Sequence, residues 1–248
     1  SLRPYREATV DMDVLVFGSS YRDVLKAVGE AGYFLLERGP LSATFRDPVS
    51  KLGIDIHEEI AVSHLIYLDK EKLDKQVVRR EVPGGGIVRT LSPAADLLAI
   101  ICHSVLKEQM YVLSEYYSTL FYLYANKDGA VLRSLASLAE ECNLDFVIET
   151  HLGVTASLHK EFHGFIPNCI QQTYGRQDGS WEFSRVSRLG LGFPAKYHPL
   201  TVVKALSSLL KERKGKRGIA VQTSKMLDPR FCLRLSTHLI QHMMRQAY

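Results

Sequence analysis

Asp11-Met12-Asp13 heads a short apolar run, MDVLVF over 12–17, and sets two carboxylates two positions apart. Residues i and i+2 of a strand point to the same side, so the pair converges. Two close acids raise each other's pKa and cost stability unless a cation lies between them. Hard oxygen donors suit Mg²⁺ or Mn²⁺. A third carboxylate, Asp55, stands in KLGIDIH (51–57), where Leu52, Ile54 and Ile56 alternate with Gly53, Asp55 and His57. An acid between buried aliphatics is expensive unless its own face opens onto something polar. His57 shares that face and reads either as a neighbour of the metal or as an ordinary hydrogen-bonded histidine. The competing readings are local: Asp11 as a turn cap, Asp13 paired with Arg6 or Arg22, and Asp55 at a solvent edge.

The elements that must position these acids follow from periodicity. MDVLVF is a buried strand closed by Gly18-Ser19-Ser20, and YRDVLKAVGEA (21–31) has helical spacing with Gly32 as its stop. YFLLE (33–37), LSATFR (41–46) and KLGIDIH supply further strands. In EVPGGGIVRT (81–90) the three glycines read as a turn, because no strand–GxxxxGK[ST]–helix order surrounds them. Ser92 suits an N-cap, Pro93 the first helical position and Asp96 the first turn. The apolar run over 94–125 predicts one long helix or two broken near Lys107. Further helices are expected over about 130–142, 144–159, 200–212 and 229–246. Residues 164–200 read as a loop-rich insert, and KERKGKR (211–217) as a basic turn. The expected organisation is an α/β domain over 1–90, a helical bundle over 91–163, and a loop-rich, helical, basic region over 164–248.

The chain has 248 residues, 46% of them hydrophobic and 23% charged, enough apolar material for a substantial core. Four cysteines without a CxxC pair point to a reducing, cytoplasmic setting, and no apolar run reaches the ~20 residues of a membrane-spanning helix. A scattered set of Cys142, His151, His159, His163 and Cys169 lacks the compact spacing of a zinc knuckle. Adjacent Cys102 and His103 point apart on a helix, which argues against Cys-His catalysis.

The net charge of +4 conceals a division: residues 1–170 are net −6 and residues 171–248 net +10. Lys211, Arg213, Lys214, Lys216 and Arg217 crowd seven positions, and Arg185 and Arg188 precede them. With Tyr174, Trp181, Phe183 and Tyr197 nearby, the region is expected to bind RNA or another polyanion by phosphate contacts and base stacking. A solvated basic surface is the plain alternative.

The run Arg6-x-x-Thr9-x-Asp11-Met12-Asp13-Val14-Leu15-Val16, with Gly53-Ile54-Asp55-Ile56-His57, resembles the DNA polymerase β-type nucleotidyltransferase superfamily. Later residues are similar to a large family of uncharacterised bacterial and archaeal nucleotidyltransferases, and distantly to the toxin component of abortive-infection systems. These are Arg80, Val82-Pro83-Gly84-Gly85-Gly86, Val88-Arg89-Thr90-Leu91-Ser92-Pro93, Asp96-Leu97-Leu98 and Cys102-His103. The resemblance covers about residues 3–160. It implies an α+β fold, a nucleotidyltransferase-type mixed sheet with flanking helices plus a helical domain. It also implies transfer of a nucleoside monophosphate from an NTP to an acceptor hydroxyl, with release of pyrophosphate. Asp11 and Asp13 would bind both metal ions, and Asp55 would complete the second site. Ser1, Arg6, Thr9 and Lys107 are the candidates for contact with the triphosphate. The superfamily's upstream glycine motif has no counterpart here, so a native segment before Ser1 is expected. The alternative is a catalytically silent nucleic-acid-binding or antitoxin-like scaffold on the same fold.

Overall fold

A computed structural model of the chain describes residues 11–18, 20–82, 84–125, 129–174 and 194–229. It is a mixed α/β protein with a small mixed sheet and flanking helices. The chain forms two compact units: Ser1–Ile66 together with Arg213–Tyr248, and Tyr67–Glu212. These are not the three consecutive segments expected from composition. The β-hairpin before residue 90 goes with the helices because its last strand leads straight into the first of them, with Ser92 N–H donating back to Gln76 O at 2.7 Å.

In the first unit, β1 (Asp11–Leu15), β2 (Phe34–Arg38), β3 (Ser42–Arg46) and β4 (Gly53–His57) form one sheet in the order β1-β4-β3-β2. β1 and β4 run parallel, while β3 pairs antiparallel with both β4 and β2. The helix α1 (Tyr21–Glu30) connects β1 to β2 and covers one face. Val16, Ala43, Phe45 and Ile56 are buried there against Tyr21, Val24, Leu25 and Val28. Strand alternation therefore sends the polar positions of β1 and β4 to the face opposite α1.

A short ladder of β5 (Ile60–Val62) and β6 (Leu65–Leu68) follows β4. In the second unit, α2 (Lys70–Asp74) precedes the hairpin of β7 (Val77–Val82) and β8 (Gly86–Leu91). The glycine run is its turn, with Gly84 at φ 106° and Gly85 at φ 88°, a region that side chains disfavour. α3 (Pro93–Cys102) starts as expected, with Ser92 Oγ accepting from Ala95 N–H and Pro93 in the first turn.

The apolar run beyond it is broken. A π-helical turn (His103–Glu108) ends at Gln109 with φ 55°, β9 (Met110–Tyr111) intervenes, and α4 (Leu113–Ala125) restarts the helix. Helices α5 (Ala130–Glu141), α6 (Asp145–His163), α7 (Asn168–Tyr174) and α8 (Pro199–Leu209) follow in this unit, and β10 (Ala195–Lys196) pairs antiparallel with β9. Leu97, Leu98, Ile101, Leu135 and Ile148 are among its fully buried side chains. Among the described residues no helix is long and apolar enough to cross a membrane.

The basic stretch departs from expectation. From Arg213 onward it is helix, α9 (Arg213–Met226), not a turn. Two glycines in the first six residues of a helix are unfavourable by ~1 kcal/mol each relative to alanine, so packing must compensate. Gly218 shows how. A Cβ there would lie 2.6 Å from His64 O and 3.2 Å from Leu65 Cα, so only glycine lets the helix approach this backbone. Gly218→Ala should therefore lower stability by about 1–3 kcal/mol, although the same change in an open helix gains about 1. Chemical denaturation of the two proteins checks this; a stabilised variant would show that the close approach does not exist. The terminal helix expected over 229–246 lies outside the described residues but for its first position.

Candidate metal centre

Register brings the acids together. In the parallel β1–β4 pair, Asp13 lies opposite Asp55 and Leu15 opposite His57. On the other side of β4, Thr44 lies opposite Asp55 and Ser42 opposite His57. Laterally paired residues share a face, so Asp13, Asp55 and Thr44 form one row on the side away from α1, with His57 in the next row. The sequence separations are 42 and 44 residues, and only strand pairing makes these groups neighbours.

One ligand atom each from Asp13, Asp55 and His57 lies within 4.8 Å of the others. Two ligands on opposite sides of a small divalent ion, each at about 2.1 Å, are roughly 4 Å apart, so small side-chain rotations suffice. Asp13 is open to solvent, its side chain 78% exposed, whereas His57 is 21% exposed. His57 Nε2 is 2.9 Å from Asp13 Oδ1. An ionised carboxylate only accepts, so the ring nitrogen is the donor in this pair, and metal ligation would displace its proton.

Asp55 is the unsatisfied member of the trio. Its Oδ1 is buried and, among the described residues, has no hydrogen-bond partner, although Thr44 is its neighbour in register. A buried, unpartnered carboxylate oxygen costs free energy and calls for a counter-charge. A cation against Asp13, Asp55 and His57 would supply it. The donor set, two carboxylates and one imidazole, suits Mn²⁺ better than Mg²⁺, which prefers an all-oxygen shell.

The sequence-predicted residues divide accordingly. Asp13 and Asp55 come together. Asp11 occupies the first position of β1 opposite Gly53, and its side chain lies outside the described residues. Ser1, Arg6, Thr9, Arg185 and Arg188 lie outside them as well. Lys107 is the penultimate residue of the π-helical turn of the second unit, 4.0 Å from Glu108 Oε1. The sequence placed His57 on the Asp55 face without making it a ligand; its position two residues after Asp55 was the signal.

The other candidate chemistries are filled by structural contacts. His151 is fully buried, with Nε2 2.9 Å from Thr119 Oγ1. His159 Nδ1 donates to Phe165 O at 2.9 Å, leaving Nε2 to accept from Tyr124 O–H at 3.0 Å. No zinc-like cluster forms among the described residues. Burial pushes the Cys102 and Cys142 thiols up, away from nucleophilic use. Tyr197, one of the aromatics expected to stack on bases, is 6% exposed and lies 3.3 Å from Ser104 Oγ through its hydroxyl. It is a core residue.

No protein-family profile, curated protein or solved structure matches this chain.

Proposed function

We propose that the chain is a metal-dependent nucleotidyltransferase, transferring a nucleoside monophosphate from an NTP to an acceptor hydroxyl. The observation that carries this reading is the orphaned Asp55 oxygen beside Asp13 and His57 on the sheet face away from α1. Asp13, Asp55 and His57 would hold the cation, Mn²⁺ by their donor set. When bound, such an ion neutralises phosphate charge and stabilises the oxygens of an in-line displacement.

The protein's own groups have simpler tasks. β1 and β4 hold the two carboxylates in fixed lateral register, so little reorganisation is needed once substrate arrives. α1 packs Val24, Leu25 and Val28 against the opposite face, so the carboxylates stand on the polar side of the sheet. The exposure of Asp13 leaves that side reachable by a charged substrate. The nucleotidyltransferase-type sheet suggested by the sequence belongs to this proposal, as do the NTP substrate and the cytoplasmic setting.

Incubation of the protein with labelled NTPs, Mn²⁺ or Mg²⁺ and total cellular RNA tests the reading. Incorporated label is expected with Mn²⁺, falling at least a hundredfold in Asp13→Asn and Asp55→Asn. Transfer that survives both substitutions would remove the acids from the reaction. The catalytically silent scaffold is the outcome if RNA is retained and no label is incorporated with any NTP.

A further inference from the structure

The basic helix α9 sorts its cations by face. Lys214 is partly buried and pairs with Glu59, Nζ to Oε1 3.4 Å. Gly215 and Gly218 are buried on the same side, with Gly218 against the backbone of His64–Ile66. Arg213, Lys216 and Arg217 are all exposed, at helical spacings of three and four that place them on one face. None of the three has an ion pair or hydrogen bond among the described residues. Glu212, the single acid of the run 211–217, is occupied by Lys72 Nζ at 3.1 Å and Asn143 Nδ2 at 2.6 Å.

This arrangement is electrostatically uphill. The first turn of α9 contains no acid, so its cations crowd the positive end of the helix dipole. Like charges three and four residues apart also repel. Glu59 relieves Lys214 alone. The glycine packing fixes the helix from behind and turns the remaining three cations outward as a set. Such a surface complements a regularly spaced row of negative charges.

We propose that Arg213, Lys216 and Arg217 form a docking surface for the phosphodiester backbone of a nucleic-acid strand. Recognition is by charge and is indifferent to sequence. Tyr197, one of the aromatics expected to stack on bases, is buried, and the exposed face of α9 carries cations without aromatic residues. The surface belongs to the same compact unit as the acids but does not depend on them, so it is tested without metal or NTP.

Binding of fluorescent 12-mers of oligo(U) and oligo(dT) is measured by anisotropy in EDTA, from 25 to 200 mM salt. Three phosphate contacts predict a slope of log K against log[salt] of about −2 for a single strand. The triple variant Arg213→Ala, Lys216→Ala, Arg217→Ala should bind at least tenfold more weakly at low salt, with a slope close to zero. It should melt no lower than wild type, because alanine favours helix and the repulsion is gone. Arg213→Gln alone should reduce the slope by about one contact. Equal affinity for the two oligomers identifies the phosphodiester as the feature read; a preference for oligo(U) adds the 2′-hydroxyl to it. The proposal is overturned if wild type binds neither oligomer at 25 mM salt, or if the folded triple variant binds as wild type does. It is also overturned if phosphatidylserine vesicles, and not the oligomers, lose binding in that variant.

Discussion

Asp55→Asn is expected to leave the metal-free protein as stable as wild type or more so, and to abolish its stabilisation by Mn²⁺. The two halves of this result come from one atom. In the metal-free fold, Asp55 Oδ1 is buried without a partner among the described residues, a cost that a neutral amide reduces. With Mn²⁺ at a hundred times its Kd, the wild-type fold should gain about 2.7 kcal/mol, because the ion binds the folded state alone. The variant should gain almost nothing. Asp13→Asn should also lose the Mn²⁺ shift, with little change in metal-free stability, since its side chain is 78% exposed. Mg²⁺ should shift wild type less than Mn²⁺ does, and His57→Ala should narrow the difference by removing the nitrogen donor. Thermal melts with and without each ion decide the matter. A full Mn²⁺ shift in Asp55→Asn would place the ion elsewhere.

The second large effect is an acid sensitivity of the helical unit that originates in His151. Its ring is fully buried, with Thr119 on one nitrogen, Tyr197 O–H 3.4 Å from the other, and the Tyr111 ring 4.9 Å away. Burial pushes its pKa down to about 3, from an ordinary value of 6.5. Between those values the unfolded chain takes up a proton that the folded one refuses. Stability is complete above pH 6.5 and is lost as the pH falls toward 3, at about 1.4 kcal/mol per unit. That is about 2 kcal/mol by pH 5. Glu115 acts in the opposite sense. Burial raises its pKa despite hydrogen bonds from Val112 N–H and Ser104 O–H, so the folded state takes up its proton first and gains as the pH falls. The measured slope is the difference between the two. His151→Gln keeps a hydrogen-bonding side chain and should flatten the loss between pH 7 and 5 in urea titrations. An unchanged slope in that variant would assign the acid sensitivity to other groups.

Most of the local structure was legible in the sequence because it rests on neighbours in the chain. The alternation of Ile54 and Ile56 against Asp55 and His57 gave β4 and its two faces, and Ser92-Pro93 gave the start of α3. Gly84 and Gly85 made the turn between β7 and β8 through their freedom at positive φ. Two features escaped for a common reason. KERKGKR, with Gly218 directly after it, looks like a turn because Gly215 and Gly218 weaken a helix, and only the backbone of His64–Ile66, about 150 residues earlier, explains why Gly218 is tolerated. Tyr197 looks like a surface aromatic until its hydroxyl is found between Ser104 and His151.

By itself the sequence determined which residue types were present and which local faces they shared. That was enough to select Asp13 and Asp55 and to set His57 beside them. Tertiary structure decided the register that makes Asp13 and Asp55 lateral partners, the approach of His57 to both, and the lack of a partner among the described residues for one Asp55 oxygen. It also decided which cations of the basic run face outward. Periodicity fixes the direction of a side chain relative to its own strand or helix, whereas the partner across the sheet and the buried side of a helix depend on long-range packing.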